Sequence, residues 1–168
     1  DSVDGLFSCR EKDRILEIMH DSLVGSFGVI AVILLFLLKF SLMIELSGEF
    51  RTAVLILMPV IARSLVVFTI WKYPLAVSSS LGKGFNYHLG IKQIIEAAIY
   101  LLLVIICNYY LFSFSLMLTA VIFLVSLLVT HLLARYVINL IDGLTGDIYG
   151  AVAEIIEVVV LLLAIILL

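Results

Sequence analysis

Two clusters of acids carry the chemistry open to this sequence. At the start, Asp1-Ser2-Val3-Asp4-Gly5 sets two carboxylates three residues apart, a spacing that shares one face of a helix. Near the end, Asp142-Gly143-Leu144-Thr145-Gly146-Asp147 places two more aspartates around a flexible stretch, where Gly143 and Gly146 permit a tight or left-handed backbone. Asp147, Gly150, Ala151, Glu154 and Glu157 then follow at helical spacing and form one stripe of acids and small residues. Neighbouring carboxylates repel, and a divalent cation relieves the repulsion. Oxygen ligands favour magnesium, which completes its shell with waters and substrate phosphates. A capping aspartate at the positive end of a helix explains Asp147 without a metal. That field fades after the first turn and does not explain Glu154 or Glu157.

The cations point to an anionic substrate. Arg63 lies inside a long apolar stretch, nine residues before Lys72, and a charge so placed needs an acid or a substrate phosphate as partner. Lys39, in the preceding apolar stretch, reads as a structural ion-pair partner or as a residue facing the opposite side of the membrane. Residues 78–85 form a small, basic segment whose backbone amides and Lys83 could cradle phosphate, although the Walker A spacing is absent. His20, His88 and His131 show no metal-ligand spacing, and Cys9 and Cys107 supply neither a disulfide nor a zinc framework. Cys107, in an apolar run, reads as packing. Together these residues imply magnesium-assisted chemistry on a phosphate group, with carboxylates holding the metal and Arg63 or Lys83 neutralising phosphate charge.

The elements that position them are membrane helices. The 168 residues fit one domain, and 64% of them are hydrophobic while only 14% are charged, with a mean hydropathy of +1.30. Soluble domains hold about 25% charged residues, so lipid must be part of this chain's solvent. A net charge of −3 gives no reason to expect a nucleic-acid partner. A spanning helix needs about 20 apolar residues, and five stretches qualify, roughly 24–46, 52–71, 94–112, 115–134 and 150–168. The fold class is therefore an all-α, polytopic transmembrane bundle of about five helices. A short amphipathic helix over 10–21, with Ile15, Ile18 and Met19 on one face, is expected along the interface before the first crossing. Ser113 and Phe114 alone separate the third and fourth stretches, which makes those a tight hairpin.

Five crossings place Arg10, Lys12, Arg14, Lys72, Lys83, Lys92 and Arg135 on the side of the N-terminus and only Arg51 on the other, so the N-terminal side is expected to be cytoplasmic. All six aspartates, Asp13 and Asp21 included, fall on that same side. A transporter that uses Arg63, Glu154 and Glu157 as a relay is the non-enzymatic alternative. It would need accessible charge on both sides, which this segregation disfavours.

The sequence also resembles a known family, the cobalamin synthases (adenosylcobinamide-GDP ribazoletransferases). The resemblance rests on Asp1-Ser-Val-Asp4-Gly5-Leu6, on the run from Arg14 through Glu17, Met19, Asp21 and Gly25 to Gly28, and above all on Asp142-Gly-Leu-Thr-Gly-Asp147-Ile-Tyr-Gly150-Ala-Val-Ala-Glu154-Ile-Ile-Glu157. Ala62-Arg63-Ser64 and Gly82-Lys83-Gly84-Phe85 are similar to weaker middle motifs, in the same order. The resemblance implies a multi-pass inner-membrane enzyme that joins α-ribazole or its 5′-phosphate to adenosylcobinamide-GDP, releases GMP and uses magnesium at a cytoplasm-facing site. It implies Asp1, Asp4, Asp142 and Asp147 as metal or catalytic residues and Arg63 and Lys83 as phosphate ligands. Asp21, Glu154 and Glu157 are further acidic candidates. The family's first motif starts upstream of Asp1 and is preceded by membrane helices. The expectation is thus a single catalytic domain, 1–168, without its N-terminal part, which a homo-oligomer or a second chain would otherwise complete. A CDP-alcohol phosphotransferase is the enzymatic rival, but Leu6-Phe7-Ser8-Cys9-Arg10 after Asp4-Gly5 departs from that family's Ala-Arg pattern.

Overall fold

Lipid offers no hydrogen bonds to a bare backbone, so long apolar runs must satisfy their own amides and carbonyls as helices. The computed structural model describes residues 1–8, 10–21, 23, 25–46, 48–76 and 90–168. Its helices are α1 (Ser2–Leu6), α2 (Lys12–His20), α3 (Ser26–Glu45), α4 (Gly48–Lys72), α5 (Ile91–Phe112), α6 (Leu116–Ile141) and α7 (Gly146–Leu167). Five of them, α3 to α7, are long and apolar enough to cross a membrane, and the chain is a multi-pass, all-helical membrane protein.

The centre of the bundle is α4, which packs chiefly on α7 and α5. Ala53, Val54, Leu57, Ile61, Ala62 and Leu65 recur every three or four residues and are all but fully buried. Facing them, α7 buries Val152, Ile156, Val160 and Ala164. α6 closes the other side of α7, and α3 packs on α7 and α1. Most of α3 and α5 is exposed, as lipid-facing helices are. Cys107 is among those exposed α5 residues, not in the packing expected for it.

The α5–α6 hairpin forms where expected. Ser113 takes the left-handed conformation (φ 52°) that ends α5, and the Ser115 side chain accepts the Leu118 amide to cap α6. The α2 helix forms within the expected 10–21 segment. Its buried residues are Ile15, Leu16 and Met19, with Ile18 half-buried, and the helix packs against α1 and α6. A Cβ on Gly5 would meet the Met19 side chain, so α1 and α2 touch closely there.

The connection into α7 is tighter than expected. α6 runs on to Ile141 and α7 starts at Gly146, which leaves only 142–145 between them and puts Asp147 in the first helical turn. The chain leaving α4 clips this turn in place: the Ala76 amide donates to Leu144 O and the Leu144 amide to Pro74 O, both at 2.9 Å. Neither described glycine of the turn is left-handed; Asp142 is, at φ 58°. Gly143 serves a different need. A Cβ there would lie 2.6 Å from Ala76 Cα and from the Leu75 carbonyl carbon, so only glycine lets the clip close.

Candidate functional site

The stripe Asp147, Gly150, Ala151, Glu154 on α7 faces a second stripe, Gly28, Ala31, Leu35, on α3. Their small residues keep the facing walls low. Asp1, Ser2 and Val3 close the end nearest the chain's N-terminus, and the result is a groove of about 420 Å³. Three of its lining residues are acids, Asp1, Asp147 and Glu154, and none is basic. Gly146 and Glu154 stand eight residues apart, so the groove reaches roughly 12 Å along α7 at ~1.5 Å per residue. Asp147, in the first turn of α7, also meets the positive end of that helix.

At its inner end Lys39 is buried between two carboxylates, with Nζ 2.6 Å from Glu154 Oε2 and 2.6 Å from Glu157 Oε2. The Glu154 side chain is 43% exposed and faces the groove, whereas that of Glu157 is 12% exposed. An acid pair inside the membrane is thereby matched by a cation, as its cost demands. Of the two readings open to Lys39, the structural ion pair is the one that forms.

Asp4 also holds a helix end in place. Its Oδ2 accepts the Gly28 amide at 3.0 Å, the third amide of α3. The N-cap position of α3 is Gly25, which has no side chain to cap with, and a Cβ there would collide with the Asp4 carboxylate. Asp4 therefore caps α3 from another helix. That leaves Oδ1 as its remaining oxygen and keeps Asp4 at the edge of the groove, outside its lining.

The other candidates lie elsewhere. Asp142 is turned outward, its side chain 76% exposed and paired with Lys12 at 2.5 Å. Asp21 Oδ1 accepts the Leu23 amide at 3.0 Å in a local turn. Arg63 is exposed on the α5 side of α4 beside Ser64, Val67, Ala97 and Tyr100, away from the acidic groove. It therefore cannot form the relay with Glu154 and Glu157 that a transporter would require. Lys83 and the rest of 78–85, with His88, lie outside the described residues. His131 bonds Tyr73, with 2.5 Å between the hydroxyl and Nδ1.

No group of three or more His, Cys, Asp or Glu side chains gathers closely enough to enclose a metal among the described residues. A closed all-protein cage is not what magnesium needs, since one or two carboxylates with waters and phosphate suffice. Asp1 and Asp147 on one groove fit that demand in donor type and number.

Sequence reasoning found the α7 stripe but missed its counterpart on α3. The signal was present in Gly25, Gly28 and Ala31 at three-residue spacing, followed on the same face by Leu35 and Lys39.

Fold and site together define a polytopic helical membrane protein with an acidic groove at one end of the bundle. Its sequence matches the family described as cobalamin-5-phosphate synthase over residues 1–165, and the chain belongs to that family. A relative from Brevibacillus brevis named adenosylcobinamide-GDP ribazoletransferase is 40% identical over 164 residues, covering 96% of this chain and 64% of its own length. Relatives of the same name from Clostridium botulinum (strain Kyoto / Type A2) and Caldanaerobacter subterraneus are 35% and 36% identical, covering 97% and 95% of this chain. This chain spans 64% and 62% of the length of those two. No solved structure matches the chain.

Proposed function

We propose that this chain forms the catalytic part of an adenosylcobinamide-GDP ribazoletransferase, the activity for which its relatives are named. The observation that carries this reading is the convergence of Asp1, Asp147 and Glu154, from the two ends of the chain, on one groove in a member of that family. A hydroxyl of α-ribazole, or of its 5′-phosphate, attacks the cobinamide-side phosphorus of the pyrophosphate. The new P–O bond forms as the bond to the bridging oxygen breaks, GMP leaves with that oxygen, and the hydroxyl proton is lost.

Asp1 and Asp147 would hold magnesium, which when bound supplies charge neutralisation to the phosphates. A groove whose charged lining residues are all acids would repel a pyrophosphate, which supports a cation between them. The remaining roles are local. Asp147 presents its carboxylate from the first turn of α7, where the helix dipole favours the anion. Asp4 fixes the start of α3, and Glu154 closes the inner end of the groove under the hold of Lys39.

The end of the bundle that carries Asp1 and Asp147 also carries Arg10, Lys12, Arg14, Lys72 and Lys92, so we place it in the cytoplasm, with the protein in the inner membrane. The test is GMP release and cobamide formation by the purified full-length protein given magnesium, adenosylcobinamide-GDP and α-ribazole or its phosphate. Asp147→Asn that stays folded but forms no product supports the reading. A folded wild-type protein that forms none overturns it, and cytidine-nucleotide chemistry would then point to the CDP-alcohol phosphotransferases.

A further inference from the structure

We propose that Lys39 is a positioning residue for the groove, an intramembrane lock that joins α3 to α7 and fixes Glu154 at the groove's inner end. Its effect on turnover rests on the transferase reading above; its effect on helix position does not.

The need for a lock follows from how α3 is held. Val29, Ile33, Leu34, Phe36, Leu37 and Phe40 all face outward. In lipid, apolar contact between helices gains nothing from leaving water, so packing alone holds such a helix weakly. Polar ties must do more. At one end Asp4 accepts the Gly28 amide, and at the other Arg51 donates to the carbonyls of Ile44 and Leu46. Between them, Lys39 is the polar residue of α3 that reaches across to α7 among the described residues. It lies about 16 Å along the helix from Gly28, at ~1.5 Å per residue.

The geometry makes that tie directional. Helical side chains lean toward the helix N-terminus, so Lys39 reaches back along α3 toward the groove while standing deeper in the membrane than Glu154. One ammonium serves two carboxylates on successive turns of α7, at 2.6 Å each, and its side chain is 10% exposed. Either carboxylate alone would fix one contact; two fix the rotation of α7 as well as its distance. Glu154 belongs both to this cluster and to the groove lining. Lys39 thus acts on the site through Glu154 and does not touch the groove itself.

The test uses the full-length protein with native cysteines replaced by serine. Spin labels go on lipid-facing positions, through Leu34→Cys on α3 and Leu102→Cys on α5, 60% and 57% exposed. Double electron–electron resonance then reads the distance distribution between α3 and the α4–α5 body. Lys39→Met is expected to broaden and shift the distribution, and Lys39→Arg, which keeps a cation between the glutamates, to restore it. Turnover is expected to fall about 10–100-fold in Lys39→Met, as displaced groups near a reacting centre cause, and to recover largely in Lys39→Arg.

Lys39→Met/Glu157→Gln removes the stranded buried carboxylate and serves if Lys39→Met alone does not fold. A wild-type distribution in either neutral variant overturns the lock. So does a failure of Lys39→Arg to restore any part of the wild-type distance distribution. Absence of turnover in the wild-type protein would count against the transferase reading alone, because the distance measurement stands without it.

Discussion

One added methyl group at Gly143 tests whether the clip over the α6–α7 turn holds the site together. In Gly143→Ala the new Cβ would lie 2.6 Å from Ala76 Cα and from the Leu75 carbonyl carbon, inside the contact distance of any two carbons. Those neighbours are backbone, so they yield only by moving the segment. Overpacking of this kind costs about 1–3 kcal/mol. Opening the clip also strains the hydrogen bonds Ala76 N to Leu144 O and Leu144 N to Pro74 O, each worth about 1 kcal/mol. The combined loss is about 2–4 kcal/mol. At about 2–4 °C per kcal/mol for a chain of this size, Tm should drop by roughly 5–15 °C. Gly150→Ala is the matched control. Apart from its chain neighbours and its own helix backbone, no atom stands within 4 Å of its Cβ, and it lies inside α7, where alanine is favoured over glycine by about 0.5–1 kcal/mol. The same change should therefore raise Tm by a few degrees at position 150 and lower it at 143. Thermal unfolding of both purified proteins in one detergent, at one scan rate, reads the difference. Equal Tm values for the two variants would refute the packing argument.

Asp4→Ala should lose about 0.5–2 kcal/mol of stability by uncapping α3, and Asp4→Asn, which keeps an acceptor for the Gly28 amide, should recover most of it in the same unfolding assay. Asp142→Asn should cost under about 1 kcal/mol and leave turnover near wild type, because the Lys12 pair is exposed. Burial raises the Tyr73 hydroxyl above its usual pKa of 10.0, against a smaller lowering by Arg135. The folded state then holds that proton more tightly than the unfolded state, so the contribution is complete below pH 10.0 and is lost as pH rises through the raised value. Tyr73→Phe should flatten that part of the alkaline stability profile measured by unfolding between neutral and high pH.

Much of this arrangement was legible in the residues. Apolar run length gave five crossings because a bilayer demands a fixed span and a fully bonded backbone. Helical spacing alone found the Asp147–Gly150–Ala151–Glu154 wall. What spacing could not give was contact between elements distant in sequence. The Asp4 cap joins residues 24 positions apart, and Lys39 reaches carboxylates 115 and 118 positions away. The Asp142 turn is tight, as its glycines allow, but spacing does not assign the roles: the left-handed position is Asp142, and Gly143 is demanded by the segment after α4 crossing over it. Arg63, expected to meet an acid or a substrate phosphate, lies away from the acidic groove. A helix face is fixed by its neighbours, and this one turns toward α5.

The most direct test compares two aspartates five residues apart in the same signature, one in the groove and one outside it. The measurement is magnesium-dependent GMP release by full-length Asp147→Asn and Asp142→Asn, each shown to be folded. If the groove is the reaction site, Asp147→Asn abolishes release and Asp142→Asn retains it. Equal loss in both variants, or full activity in Asp147→Asn, would contradict that assignment.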